Sequence, residues 1–234
     1  WLTVGHIDEY LMFIPSKNAA GGWSFCVADP IYGLDLVAGA SDADFAKLKN
    51  SSQRAFLMEV RKVLLGQEKD PEFGKGTRAD EFITLNRRIA EIIQENIGQI
   101  KQFIRNLKDT PERDFNEVAW PCLFEGSLSG NTPRGCCAYL PGVVNLTVLR
   151  DHLLVPATFF PPYDKAIEGR FRAEGNHVHF IDDTPYHNMM GEIHCGTNVL
   201  RHPERQWVTE KQVRAVQRVK DEFRRLHAPA DAGR

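Results

Sequence analysis

Alternating apolar and polar positions open the chain and predict two strands. Residues 1–14 alternate loosely, with His6 and Asp8 two positions apart, and residues 23–28 form a second apolar run. Side chains two apart in a strand point to the same face, so His6 and Asp8 should project together. Residues 16–22, which hold Gly21-Gly22, are typical of a hairpin connection between the two strands.

Helical spacing of apolar residues follows in two long stretches. The first covers residues 42–65, and the second begins at Asp80 and continues through a further helical piece over 100–107. Residues 66–78 between them are rich in Gly, Pro and charge, which indicates a loop. A last apolar stripe at helical spacing predicts a helix over 209–226.

After Pro111 the pattern changes to short apolar runs bounded by Gly and Pro. These runs predict strands, which lie at residues 118–124, 143–149, 153–160 and 177–181. Strands and helices mixed in this order predict an α/β or α+β domain.

Composition and charge exclude some classes of protein. The chain has 234 residues, of which 42% are hydrophobic, and its formal net charge is −2, so nothing indicates nucleic-acid binding. No apolar run approaches the roughly 18 residues of a membrane span, and the opening stretch has no basic flank of the kind that precedes a signal peptide, so we expect a cytoplasmic protein. The chain opens in an apolar stretch without Met, so we expect a segment of a longer protein.

Two short segments contain residue types that carry chemistry. In Gly5-His6-Ile7-Asp8-Glu9, an imidazole and a carboxylate lie close together. In Gly191-Glu192-Ile193-His194-Cys195-Gly196-Thr197-Asn198, polar neighbours favour an exposed Cys195, and a nearby imidazolium would lower the pKa of its thiol. The five cysteines include no C-x-x-C pair, which argues against a structural zinc site or a disulfide framework.

Other kinds of site remain open on these residues alone. One alternative is purely structural. His6 and Asp8 would then form the polar face of a surface strand, and Cys195 would be a buried, unreactive thiol. A papain-like protease has its Cys before its His in sequence, whereas His6 precedes Cys195 here. A metal site could be assembled from four histidines, namely His177, His179, His187 and His194.

The two end segments resemble the peptidylarginine deiminase family. Residues 1–9 (WLTVGHIDE) are similar to that family's strand with the His-x-Asp motif, and residues 191–199 (GEIHCGTNV) are similar to its nucleophile segment. Between them, residues 143–149 (VVNLTVL) and 180–183 (FIDD) resemble further family segments in the same order. The resemblance covers nearly the whole chain up to about residue 203.

This resemblance implies a fold and a cofactor. We expect an α/β fold that forms part of a pentein propeller, about the last three of its five blades. Residues 1–207 would be the C-terminal portion of the catalytic domain, followed by a helical tail over 208–234. The resemblance also implies calcium, with ligands mostly upstream of this segment, together with a second guanidinium-binding Asp. Many animal members have an Arg-His pair beside the substrate where this chain has Met189-Met190. This difference affects the recognition of residues that flank the target arginine.

The resemblance further implies a reaction on protein-bound arginine. Asp8 would bind the guanidinium, Cys195 would attack its carbon, and His6 would move protons, so that arginine in protein substrates becomes citrulline. An alternative in the same fold is a small-molecule guanidine hydrolase or amidinotransferase that acts on free arginine, methylarginine or agmatine. A catalytically inactive pentein used as a binding module is a further alternative. The sequence indicates neither the oligomeric state nor the identity of the substrates.

Overall fold

A computed structural model describes residues 1–67, 77–106, 116–199, 214 and 217–221. The strands in these ranges are β1 (Leu11–Pro15), β2 (Trp23–Asp29), β3 (Glu117–Pro121), β4 (Phe124–Ser129), β5 (Thr132–Ala138), β6 (Thr147–Leu149), β7 (His152–Pro156) and β8 (His177–Ile181). The helices are α1 (Pro30–Gly39), α2 (Asp42–Phe45), α3 (Ser51–Leu64), α4 (Arg78–Arg105), α5 (Pro161–Glu174), α6 (Thr184–His187) and α7 (Ile193–Gly196). A 3-10 helix covers Ile7–Glu9.

Two of the sheets have the same topology. In the first, β1 pairs antiparallel with β2, and β2 pairs parallel with β3 after the helices α1 to α4. In the second, β6 pairs antiparallel with β7, and β7 pairs parallel with β8 after α5. Each is therefore a hairpin followed by a helical crossover to a parallel third strand, as parallel pairing requires.

The third sheet is completed by the first residues of the chain. Strands β4 and β5 form an antiparallel pair, and Leu2 pairs parallel with Cys136 of β5. The backbone N–H of Thr3 donates to the Cys136 carbonyl at 2.8 Å, and the Cys136 N–H donates to the Trp1 carbonyl at 3.0 Å. All three sheets thus combine an antiparallel pair with a parallel neighbour, and none of them is closed in the described part of the chain.

One hydrophobic core joins these sheets to the helices. Helix α5 packs on β3 and β8, where the Trp120 and Phe171 rings stack with centroids 3.9 Å apart. The Phe45 ring meets Phe160 at 5.3 Å, so the short helix α2 is held against the start of α5. Close packing of this kind fixes the loops that leave the sheets.

Several predictions of secondary structure are confirmed. The hairpin over residues 16–22 joins β1 to β2, with Pro15 opposite Trp23. The long amphipathic helix is α4, which begins at Arg78 with Thr77 as its N-cap and includes the predicted piece from residue 100 as far as Arg105. The mixed α/β class is also confirmed.

The strand predicted over residues 1–14 is wrong in its middle. Gly5 has a φ of +80°, which interrupts the extended backbone, and the following residues turn into the 3-10 helix. The Glu9 carboxylate accepts the backbone N–H of His6 at 2.8 Å and closes this turn. His6 and Asp8 therefore do not share the face of a strand.

Other boundaries differ from the predicted ones. The helix predicted over 42–65 is divided into α2 and α3, because Asn50 caps a new helix by accepting the N–H groups of Ser52 and Gln53. Only residues 147–149 of the run 143–149 form a strand, and the run 153–160 ends as a strand at Pro156. The run 118–124 is divided between β3 and β4. Helices α1 and α5 were not predicted.

Two predicted regions fall largely outside the described residues. These are the loop over 66–78, of which residues 68–76 are not described, and the helix over 209–226, of which residues 214 and 217–221 are described and helical. None of the helices in the described ranges is long and apolar enough to cross a membrane.

Candidate active site

Cys195 is the exposed thiol among the five cysteines, all of which lie in the described ranges. It lies on the one-turn helix α7, whereas Cys26, Cys122 and Cys136 are buried and Cys137 is half-buried. Burial raises the pKa of the first three thiols. Burial and the nearby Glu125 carboxylate raise the pKa of Cys137 to about 11. Because the thiolate is the reactive form, these four are poor nucleophiles.

Asp8 lies against the turn that carries Cys195. One of its carboxylate oxygens, Oδ2, is 2.6 Å from Nδ1 of His194 and accepts Nδ2 of Asn145 at 2.9 Å. The other oxygen, Oδ1, forms no hydrogen bond with any residue in the described part of the chain. The Asp8 side chain is 18% exposed, so it is partly shielded from water.

Asn145 connects Asp8 to the cysteine turn. Its side-chain carbonyl accepts the backbone N–H of Cys195 at 3.3 Å, and its backbone carbonyl accepts the N–H of His194 at 3.3 Å. Asn145 is itself 2% exposed. A buried amide that satisfies its donors and acceptors on both partners fixes their relative position.

A cleft opens beside Cys195. It is lined by Val4, Glu9, Asn145, Met190 and Gly191, among other residues. Burial raises the pKa of the Glu9 carboxyl, with a further contribution from the adjacent Asp8.

Backbone strain and close side-chain packing next to the thiol restrict the conformation of the turn that carries Cys195. Met190 has a φ of 62°, a left-handed conformation that costs a non-glycine residue about 1–3 kcal/mol. At Gly196 an added Cβ would lie 2.6 Å from two atoms of the Tyr186 ring. The cysteine turn is therefore packed closely against α6.

The structure brings together two of the three predicted site residues. Asp8 and Cys195 are joined through Asn145, as described above. His6 is exposed at the start of the 3-10 helix, and no hydrogen bond links its ring to Asp8 or Cys195 among the described residues. His6 thus lies on the same turn as Asp8 and faces solvent.

Sequence reasoning missed the roles of Asn145 and His194 as partners of Asp8. A polar Asn inside the apolar run 143–149 was the available signal, because a buried amide needs hydrogen-bonding partners. From the sequence, His194 was considered as a neighbour of the thiol and as one of four possible metal ligands, but not as a partner of Asp8.

The four histidines considered as metal ligands do not converge. His177 and His179 lie on β8, whereas the His187 ring bonds Glu192 and the His194 ring bonds Asp8. Within the described ranges, no group of three or more His, Cys, Asp or Glu side chains is arranged to hold a metal ion. The described residues therefore do not form a site that fits the implied calcium.

Comparison with known proteins shows which family the chain belongs to. The family model for protein-arginine deiminase matches residues 1–209. Human protein-arginine deiminase type-3 is 29% identical over 210 residues, which cover 87% of this chain and 29% of that protein. Rat type-3 is 30% identical over 219 residues, and mouse type-1 is 27% identical over 216 residues. The chain thus spans less than a third of the length of these relatives. Because the family model matches most of its length, the chain belongs to the protein-arginine deiminase family.

Proposed function

We propose that the protein hydrolyses the guanidinium group of arginine residues in proteins, giving citrulline and ammonia. The Asn145 bridge carries this proposal, because one buried side chain joins a cation-binding carboxylate to the turn with the exposed thiol. Membership of the family supports the same reaction.

Asp8 is the proposed binding group for the guanidinium. A guanidinium presents N–H donors in a fixed planar fork, and a carboxylate is its natural acceptor. His194 and Asn145 hold Oδ2 of Asp8, so Oδ1 is left to accept an N–H of the substrate. The low exposure of Asp8 strengthens this charged contact relative to one in open water.

Cys195 is the proposed nucleophile. Its thiolate attacks the guanidinium carbon, a C–S bond forms, and one amino group leaves as ammonia after it takes a proton. Water then adds to the thiouronium carbon, the C–S bond breaks, and the thiolate is regenerated with citrulline. The bound cation favours the thiolate that this step needs.

His6 is the proposed proton carrier. It donates the proton to the leaving ammonia and then accepts one from the attacking water. Its exposed ring on the turn that also carries Asp8 supports this role, and the ring of His194 is already committed to Asp8.

We further infer that the three sheets are consecutive blades of a pentein propeller. Each sheet combines an antiparallel pair with a parallel neighbour, which supports a repeated unit. We place the implied calcium ligands outside the described residues, and no step above uses a metal. Arginine-bearing proteins are the proposed partners.

Citrulline formation from two substrates tests the proposal. The protein should convert an N-acylated arginine ester much faster than free arginine, and Cys195→Ala should abolish turnover. Asp8→Asn should weaken substrate binding as well as turnover, whereas Asp35→Asn, on the exposed face of α1, should change neither. Preference for free arginine would favour the small-molecule alternative. Absence of citrulline with both substrates, with and without added calcium, from a protein that includes the upstream segment expected from the resemblance would refute the proposal.

A further inference from the structure

Two carboxyl groups face each other beneath the cysteine turn. Asp183 is 2% exposed and Glu192 is 5% exposed, and the two carboxyl groups lie close enough to interact electrostatically. Asp183 Oδ2 accepts the backbone N–H of Ile193 at 3.1 Å. Glu192 Oε1 accepts the backbone N–H of Gly142 at 2.8 Å and lies 2.9 Å from Nδ1 of His187.

One oxygen of each carboxyl group accepts no hydrogen bond from the described residues. Asp183 Oδ1 and Glu192 Oε2 are fully buried and have no donor among the described residues. Two buried carboxylates this close cannot both be ionised, because like charges in a poorly solvated site repel strongly. A single proton between the two remaining oxygens would satisfy both of them.

The electrostatics of the surrounding groups agree with one shared proton. Burial and the neighbouring Glu192 charge raise the pKa of Asp183 to about 8. Burial opposes the charged form of His187, but its hydrogen bond with Glu192 outweighs this and raises the pKa of the imidazole. Glu125 also acts on His187, and the buried Cys122 thiol lies near Glu192. The remaining negative charge of the pair is thus balanced by His187.

The pair is connected to both sides of the candidate active site. Glu192 directly precedes α7, the helix that carries His194 and Cys195, and Asp183 binds the first N–H of that helix. Gly142, which Glu192 binds, lies three residues before Asn145, and the Asn145 N–H donates to the Gly142 carbonyl at 3.0 Å. The same network therefore connects to the Asn145 loop and to the nucleophile.

We propose that Asp183 and Glu192 share one proton and, with His187, act as a positioning unit that holds the cysteine turn against Asn145. They are positioning residues, because they act on Cys195 through the backbone of α7 and of the Asn145 loop. The effect on turnover rests on the proposed function, whereas the shared proton does not.

Loss of the shared proton has a defined pH dependence. The pKa of Asp183 is higher in the folded protein than its ordinary value of 3.8. The stabilisation from the protonated carboxyl is therefore complete below about pH 4 and is lost as the pH rises to about 8. Above that range two carboxylates face each other, and the cysteine turn loosens.

Asp183→Asn is the informative variant. Its amide can donate to Glu192 and accept from Ile193, so the contacts remain but the titration is removed. Asp182→Asn is the matched control, because Asp182 is the adjacent carboxylate and lies exposed in an ion pair with Lys49. Asp183→Val keeps the approximate size and removes both hydrogen bonds.

Melting temperature and turnover from pH 4 to pH 9.5 test the proposal. Relative to wild type, Asp183→Asn should gain stability progressively from about pH 4 to pH 8, and the gain should then level off. Its kcat at pH 7 should stay within about threefold of wild type, and the decline in kcat near pH 8 should be reduced. Asp183→Val should lower kcat at pH 7 by about 10–100-fold, with KM changed less than threefold. Asp182→Asn should keep the wild-type profiles.

A stability difference between Asp183→Asn and wild type that does not vary with pH would overturn the shared proton. An Asp183→Asn variant as inactive as Asp183→Val would overturn it as well. If a protein that includes the expected upstream segment forms no citrulline, the proposed function fails, but the melting profiles still decide whether the proton is shared. Should Asp183→Val not fold, the comparison of Asp183→Asn with wild type remains decisive.

Discussion

Asp8 and His194 are 186 positions apart in the chain, yet Oδ2 of Asp8 lies 2.6 Å from Nδ1 of His194. This contact joins the turn after the first residues of the chain to the turn that carries Cys195. A carboxylate paired with an imidazole is held in a fixed orientation, and a charge-assisted hydrogen bond of this length is strong. The two candidate segments therefore form one site.

The two histidines should differ in their effects on catalysis. His6→Gln should lower kcat by about 10²–10⁴-fold with little change in KM, because a proton carrier acts mainly in the transition state. His194→Gln can still donate to Asp8, so it should lower kcat by less than about 10-fold and raise KM. Steady-state kinetics with an N-acylated arginine ester measure both. A loss of kcat in His194→Gln as large as that in His6→Gln would reverse the two assignments.

Removal of the Asn145 side chain should loosen the connection between Asp8 and the turn that carries Cys195. Asn145→Ala leaves the Cys195 N–H without its acceptor, at a cost of about 1–3 kcal/mol, and leaves His194 as the remaining partner of Asp8 Oδ2. Turnover should therefore fall by at least about 10-fold. Asn188→Ala, on the C-terminal side of α6, is the control and should change turnover little. Equal effects of the two variants would contradict the bridging role.

Close packing of Gly196 should also matter. Gly196→Ala places a methyl group on the Tyr186 ring, so the ring or the cysteine turn must shift, and we expect turnover to fall about 10-fold. Tyr186→Ala should restore part of the activity of Gly196→Ala, which a double-mutant cycle measures. Gly98→Ala is the control, since nothing lies within 4 Å of an added Cβ there. Additive effects of Gly196→Ala and Tyr186→Ala would show that this contact is unimportant.

Glu174 should make folding stability sensitive to acid. Burial acts to raise the pKa of its carboxyl, but hydrogen bonds from Ser16, Asn18, Ser24 and Asn116 outweigh burial and lower it. This stabilisation is present above the ordinary pKa of 4.5 and is lost as the pH falls through the lower folded value.

Glu174→Gln should therefore reduce the free energy of unfolding at pH 7 by about 1.5–3 kcal/mol, the range for hydrogen bonds to a charged group. Denaturant titrations at several pH values should show the difference from wild type shrinking below pH 4.5. Glu168→Gln, on the same helix in a surface ion pair, is the control. A difference that stays constant down to pH 2 would contradict the role of the carboxylate charge.

The sequence pattern predicted the elements that are determined by residues close together in the chain. The hairpin between β1 and β2 follows from its turn residues, and α4 follows from an apolar stripe with a Thr77 cap. Helix α5 begins with Pro161 and Pro162, which look like helix breakers, although Pro is favoured in the first turn of a helix. Period-two alternation could not reveal the turn at Ile7–Glu9, because it depends on the φ of Gly5 and on a side-chain contact of Glu9.

Contacts between distant segments could not be predicted from spacing. The sequence pointed to Asp8 and Cys195 by residue type and resemblance, but the Asn145 bridge requires the loop before β6 to pack beside the 3-10 helix. The buried pair of Asp183 and Glu192 depends on the fold in the same way, since nothing in the local pattern places two carboxyl groups face to face.

Covalent labelling of the nucleophile tests the central claim most directly. A haloacetamidine, which mimics the guanidinium, should alkylate Cys195 stoichiometrically, with activity lost in proportion and an arginine substrate protecting the thiol. Peptide mass spectrometry locates the label, and Cys137→Ser is the control, because Cys137 is the half-buried thiol next in exposure. We predict that Cys137→Ser is labelled and inactivated like wild type, whereas Cys195→Ala takes up no label. Inactivation that accompanies a label on Cys26, Cys122, Cys136 or Cys137 would contradict Cys195 as the nucleophile.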